Sequence, residues 1–123
     1  MNDSRRRRDF LTDAFSVKMI EKYPATVLVQ ELDDISFCSL INLSYNEDNL
    51  VSALRYSMSA KVVNELCEIP VQKNKIKIKA RKHDEFFVVL VNGRLDDAET
   101  LNEKTAVELY SRGLLKFYRL IVM

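Results

Sequence analysis

The chain has little of what metal and phosphate sites are commonly built from. Its 123 residues include two cysteines, one histidine, two glycines, two prolines and no tryptophan. Two glycines leave little room for a glycine-rich phosphate loop, and the two distant cysteines have no histidine beside them at metal-ligand spacing. The sequence therefore predicts neither a metal site nor a bound cofactor.

An excess of charge of one sign and long apolar runs are also missing. The 19 basic and 18 acidic residues leave a net charge of +1, which argues against general coating of nucleic acid. The apolar runs are shorter than the roughly 18 residues that span a bilayer, and the N-terminus lacks the apolar core of a signal peptide. We therefore expect a soluble, intracellular protein without a membrane partner.

The two cysteines, Cys38 and Cys67, lie in unrelated surroundings. Disulfides are rare in reducing cell interiors outside hyperthermophiles, and free cysteines are commonly buried. The sequence favours two buried free thiols over a disulfide.

The length and the 47% apolar content fit a single domain, which we place at residues 9–123. Residues 1–8 end in the block Arg5-Arg6-Arg7-Arg8, which cannot bury anything and predicts a flexible basic tail. A solvated terminus and an arm that touches phosphates are equally open interpretations of this tail.

Patterns of apolar residues and of turn residues place the secondary structure. Helices are predicted at residues 17–23 after an N-cap at Ser16, at 60–69 after N-caps at Ser57 and Ser59, and at 100–112 before Gly113. Strands are predicted at 10–15, 25–32, 35–43, 75–81, 86–91 and 114–122, and a turn at 51–53. The strands at 75–81 and 86–91 are expected to form a hairpin.

The strongest candidate for a binding site is the alternating row Lys75, Lys77, Lys79 and Arg81. Exposed lysines on a strand often only keep a protein soluble or protect a sheet edge. Arg94, beside an expected bulge at Gly93, and the helix start at Ser57 would together suit a phosphate group. His83, in a polar turn, and the adjacent Asp96 and Asp97 are more simply interpreted as solvated residues.

Six segments in order resemble one known family over nearly the whole chain from Phe10 onward. They are Asp13–Met19, Val51–Ser59, Val63–Cys67, Gln72–Lys79, Gly93–Asp97 and Leu109–Gly113. The chain resembles the small archaeal-virus ring nucleases, anti-CRISPR proteins that destroy cyclic tetra-adenylate, the second messenger of type III CRISPR defence.

The resemblance implies a fold and a setting. The expected fold is a compact α/β domain with a mixed five- or six-stranded sheet flanked by helices. It implies a homodimer in which the cyclic nucleotide lies across the two-fold axis, metal-free cleavage, and action in the host cytoplasm.

The resemblance also implies site residues, with one departure at the catalytic position. Tyr56 stands where the family has its general-acid histidine, and a tyrosine hydroxyl is a poor proton donor near neutral pH. The ligand-binding positions are Asp13, Ser16, Lys18, Arg55, Ser57, Lys75, Arg94 and Asp97.

Three functions follow as hypotheses. The first is a viral type III anti-CRISPR protein without efficient catalysis that binds either the effector complex or cyclic oligoadenylate, with the effector complex favoured because several ligand-facing positions have changed. The second is an active or slow ring nuclease that uses Tyr56, Lys75 and Arg94. The third is a viral structural or DNA-binding protein that contacts nucleic acid only through Arg5 to Arg8.

Overall fold

The computed structural model describes residues 8–91 and 109–123, which form a five-stranded sheet in the order β2-β5-β4-β1-β3. The strands are β1 (Asp9–Thr12), β2 (Val27–Leu32), β3 (Leu50–Ala53), β4 (Glu85–Val91) and β5 (Leu115–Val122). β1 runs parallel to β3 and β4, whereas β5 is antiparallel to β4 and β2. The helices are α1 (Asp34–Asn46) and α2 (Ser57–Cys67). The prediction of an α/β domain with a mixed sheet is confirmed.

β4 is the central strand and is buried on both faces. Phe87 and Val89 belong to a core that includes residues of α1 and α2, while Phe86 and Val88 belong to a second core on the opposite face. The predicted strand at 86–91 is confirmed, as are those at 114–122, 25–32 and 10–15 with shorter bounds. In the described part of the chain, the second face is covered by irregular segments around Met19 and Ile78.

The strand predicted at residues 35–43 is wrong, because this segment forms α1. Asp33 caps the helix by accepting a hydrogen bond from the Ser36 N–H at 2.6 Å. Phe37, Ile41 and Ser44 are buried at spacings of four and three, as on one face of a helix. Short apolar runs do not separate strand from helix, and the capping aspartate was the overlooked signal.

The strand predicted at residues 75–81 is also wrong, and so is its hairpin with β4. β4 pairs with β1 and β5, and Ala80 alone in this segment makes a β-bridge, to Ile20. An alternation of exposure holds in the second half of the segment, where Ile78 is half-buried and Ala80 is buried between exposed basic residues, whereas Ile76 is 44% exposed. Ile78 and Ala80 pack on the sheet face, and the segment does not form a strand of the sheet.

Residues 51–53, predicted as a turn, lie in strand β3, whose outer edge is covered by residues 72–74. The Asn74 N–H donates to Leu54 O at 2.8 Å, and its side-chain Nδ2 donates to Ser52 O at 2.8 Å. The Ser52 hydroxyl donates to Gln72 O at 2.6 Å. These bonds attach the start of the lysine segment to the sheet.

Cys38 and Cys67 form a disulfide, so the preference for free thiols is wrong. The bond joins the middle of α1 to the last residue of α2, which lie together in the helix-side core. Spacing in the sequence could not reveal this contact, because it depends on the packing of the two helices.

Arg8 belongs to the folded domain, although it was placed in the tail. Its guanidinium pairs with the buried carboxylate of Asp84 and donates to Lys79 O at 2.9 Å. Residues 1–7 lie outside the described residues, as does most of the helix predicted at 100–112. Gly113 follows the described end of that helix with φ of +73°, which confirms the predicted stop. Across residues 8–91 and 109–123, none of the helices combines the length and the apolar character that a bilayer span requires.

The disulfide closes a segment of 29 residues, and this predicts a measurable loss of stability on its removal. The double variant Cys38→Ser/Cys67→Ser should lose about 3 kcal/mol of unfolding free energy, because a cross-link restricts the unfolded chain. Urea denaturation measures the loss. Reducing agent should destabilise the wild type by a similar amount and leave the variant unchanged; equal stability of oxidised and reduced wild type would contradict the assignment.

The Asn74 side chain is predicted to hold the lysine segment against β3. Asn74→Ala should lower the unfolding free energy by about 1 kcal/mol, because one hydrogen bond is lost. Amide exchange at residue 74 should become faster, since the donor to Leu54 O is less well held. Gln72→Ala is the matched control, because Gln72 contributes its backbone oxygen to this network. Equal exchange in both variants would show that Asn74 does not anchor the segment.

Candidate functional site: a basic cleft

A cleft of about 510 Å³ opens where β1 and β3 end and two irregular segments cover the sheet. Residues 12 and 14–19 form one side, and residues 75–79 form the other side, called here the lysine wall. Its lining residues are Thr12, Ala14, Phe15, Ser16, Lys18, Met19, Ala53, Arg55, Lys75, Ile76, Lys77, Ile78 and Lys79. Four of the predicted ligand-binding residues, Ser16, Lys18, Arg55 and Lys75, are thus brought together.

Ser16 fixes the first side of the cleft, as the predicted N-cap. Its hydroxyl accepts the Lys18 N–H at 3.2 Å, and its own N–H donates to the Met19 sulfur at 3.2 Å. The helix it begins is a single 3-10 turn, Val17–Met19, shorter than the predicted 17–23. This compact turn points the chain so that Lys18 lines the cleft.

The lysine wall is attached at both ends. Residues 72–74 hold one end on β3, and at the other end the Ala80 N–H donates to Met19 O at 2.6 Å. Between these anchors, Lys75, Lys77 and Lys79 alternate with Ile76 and Ile78, and all five line the cleft. Lys77 and Lys79 belong to the basic row that the alternation predicts, although the site residues implied by the resemblance include only Lys75 of the three.

Arg55, in the turn before α2, lines the cleft, and this turn is held by a residue distant in the sequence. Ser57 and Ser59 are not N-caps, because α2 begins at Ser57 and Tyr56 occupies the N-cap position without a side-chain cap bond. The carboxylate of Asp13, just beyond β1, accepts the Arg55 N–H at 2.9 and 3.1 Å and the Tyr56 N–H at 3.1 Å. Asp13 therefore ties this turn to the end of β1.

Tyr56 and Ser57 lie apart from the lining of this cleft. The Tyr56 side chain is 61% exposed, and Ser57 lines a separate open groove of about 410 Å³ along α2. Arg94 and Asp97 lie outside the described residues. Among the residues that the structure does describe, no group of three potential ligands could hold a metal ion.

The charges around the cleft are of one sign. Its described lining contains five cations and no carboxylate, with Asp13 as the nearest acid in sequence to the lining residues Thr12 and Ala14. The buried carboxylates of Asp9 and Glu85 lie at the opposite, N-terminal ends of β1 and β4. This arrangement can attract a ligand with several negative charges, while Phe15, Met19, Ile76 and Ile78 offer apolar contacts between the cations.

Comparison with known proteins identifies the family of this chain. The model of the STIV B116-like family matches residues 10–111. An uncharacterized protein, ORF116, of Acidianus filamentous virus 1 is 24% identical over 109 residues, which is 89% of this chain and 90% of that protein.

A solved structure shares the fold. B116 of Sulfolobus turreted icosahedral virus is 30% identical, and the match covers 93% of this chain and 98% of that one with a TM-score of 0.83. The family model spans most of the chain, and both relatives come from archaeal viruses. The chain belongs to the STIV B116-like family of archaeal-virus proteins.

Proposed function

We propose that the protein is a type III anti-CRISPR protein that binds cyclic oligoadenylate in the basic cleft and does not cleave it efficiently. The observation that carries the proposal is the convergence of Lys18, Arg55 and the three lysines of the wall on one cleft. Cations from three separate segments that line a common cleft can make charge-assisted hydrogen bonds to phosphates.

The apolar residues of the cleft support a nucleotide over a simple anion. Ile76 is 44% exposed on the lysine wall, and Phe15 packs edge-on against Phe86 while lining the cleft. Adenine bases pack on aromatic and aliphatic side chains, and phosphates pair with neighbouring cations. The exposed Ile76, between Lys75 and Lys77, offers an apolar contact beside two cations, which suits a ligand that carries both bases and phosphates.

The size of the cleft supports a ligand shared by two chains. A volume of about 510 Å³ suits a drug-sized molecule, and a ring of four nucleotides is larger than that. A homodimer in which two clefts face each other would contact opposite halves of one ring. The proposal therefore includes a homodimer that acts in the host cytoplasm.

The groups in the described lining of the cleft support the proposal of weak catalysis. Its described lining has no histidine and no carboxylic acid, and Tyr56, at the expected position of the general acid, is exposed outside it. His83 lies in the turn before β4 and donates its backbone N–H to Val122 O. General acid–base groups contribute roughly 10² to 10⁴ in rate, so their loss from the site leaves binding as the main activity.

The test is incubation with labelled cyclic tetra-adenylate, measured for both retention and cleavage. The wild type should retain cyclic tetra-adenylate and release little linear di-adenylate. Titration should give one ring for two chains, and light scattering should show a dimer. Arg55→Ala/Lys75→Ala should weaken retention by at least about tenfold, because each cation–phosphate bond contributes roughly 1.5 to 3 kcal/mol.

Lys22→Ala/Lys82→Ala is the control, because it likewise removes two positive charges, from outside the cleft lining. Equal losses in the control and in Arg55→Ala/Lys75→Ala would indicate only a general charge effect. Failure of the wild type to retain the ring at micromolar concentration would reject the nucleotide and favour the effector complex as partner. Rapid formation of linear products, abolished by Tyr56→Phe, would establish the ring-nuclease alternative.

A further inference from the structure

Asp13 is a carboxylate held in place beside a cleft of opposite charge. It is half-buried, and its neighbours in the chain, Thr12 and Ala14, both line the basic cleft. Both of its oxygens accept the Arg55 N–H, and Oδ2 also accepts the Tyr56 N–H. Arg55 itself lines the cleft, so the bonds fix a carboxylate at the backbone of a residue that supplies one of the five cations.

These hydrogen bonds also restrict the side chain. An exposed aspartate can rotate away from an approaching anion, but Asp13 would lose its contacts to two backbone N–H groups by doing so. The Tyr56 side chain makes no bond that could replace them at the start of α2. The negative charge therefore remains at the cleft while a ligand binds.

We infer that Asp13 is a specificity-determining residue of the basic cleft, which lowers its affinity for groups with high negative charge. The inference rests on the proposed function, in which the cleft binds a nucleotide through its phosphates. Like charges at close range repel, and salt screens a partly buried charge less than an exposed one. A compact polyanion is therefore disfavoured more than a ligand whose charge is spread over a larger ring.

A purely structural role for Asp13 makes the opposite prediction. If Asp13 served only to cap the turn, its replacement would loosen Arg55 and weaken the binding of every anion. If its charge sets specificity, a neutral residue that keeps a hydrogen-bond acceptor should bind anions more tightly. Asp13→Asn and Asp13→Ser both keep an acceptor, because asparagine and serine are also good capping residues.

The experiment measures binding of inorganic tripolyphosphate and of cyclic tetra-adenylate to the full chain by calorimetry. Asp13→Asn and Asp13→Ser should bind tripolyphosphate roughly three- to tenfold more tightly than the wild type, because one repulsive charge is removed. The gain for cyclic tetra-adenylate should be smaller, because its charge is spread around a ring. Raising the salt from about 50 to 500 mM should reduce the gain, since the effect is electrostatic.

Asp33→Asn is the matched control. Asp33 caps α1 as Asp13 caps the α2 turn, and hydrogen bonds from Ser36 lower its pKa, so the substitution removes a charge there too. Asp33 follows β2, which is separated from β1 by β5 and β4, a distance of roughly 14 Å across the sheet. This distance exceeds the screening length of about 8 Å at physiological salt, so the control should bind tripolyphosphate like the wild type.

The outcomes separate this inference from the proposed function. Unchanged or weaker tripolyphosphate binding by both Asp13 variants, with wild-type melting temperatures, would overturn the inference alone if the wild type still retains cyclic tetra-adenylate. Tighter tripolyphosphate binding without any retention of the cyclic nucleotide would support the inference and reject the proposed function. An equal gain in Asp33→Asn would show that net charge, and not the position of Asp13, is responsible.

Discussion

Burial of β4 on both faces is the constraint on which the rest of the structure depends. Its phenylalanines and valines point alternately into two cores, so both sides of the sheet must be covered. α1 and α2 cover one side, and their disulfide fixes their mutual position. The other side is covered in the described chain by the segments that carry Met19 and Ile78. The same segments form the two sides of the basic cleft, so covering the core also creates the site.

This origin explains why the cleft carries its charges where it does. The segment at 75–80 carries both residues that face the core and residues that face solvent. Ile78 and Ala80 belong to the second core, while Lys75, Lys77 and Lys79 are exposed along the cleft. The lysines are held in place because their neighbours in the chain are needed for packing. A row of lysines on a free loop would lose more conformational entropy on binding a polyanion.

The sequence predicted the elements whose signals are local. The apolar run of β4, the cap at Ser16 and the stop at Gly113 each depend on a few neighbouring residues. The strand predicted at 35–43 was wrong although a local signal, the Asp33 cap, was present, whereas two other errors concern packing between distant segments. The alternation of basic and apolar residues at 75–81 indicates side chains that face the core. Such side chains occur both in strands and in irregular segments that pack on a sheet, so the pattern does not separate the two. The contact between Cys38 and Cys67 likewise exists only because α1 and α2 lie together.

The site shows the same division. The resemblance pointed to Ser16, Lys18, Arg55 and Lys75, and the structure brings these four together in one cleft. It could not give the position of Tyr56 outside that lining, because the side chain's direction depends on how α2 begins. The resemblance could not show the hydrogen bonds of Asp13 either. Their donors, the N–H groups of Arg55 and Tyr56, lie 42 and 43 positions further along the chain. The sequence shows that an acidic residue stands among basic ones. Its effect on binding can be inferred only once its hydrogen bonds are known.

The near balance of charge over the whole chain limits the distance over which the cleft can attract a charged ligand. With a formal net charge of +1, the field of the cleft is opposed by acids elsewhere and is further screened within about 8 Å at physiological salt. Long-range attraction of nucleic acid is therefore weak, and a ligand gains binding energy only once it is inside the cleft. Selectivity then depends on shape and on the few charges in contact. In such a site one fixed carboxylate changes the balance among five cations, whereas on a strongly basic surface it would have little effect.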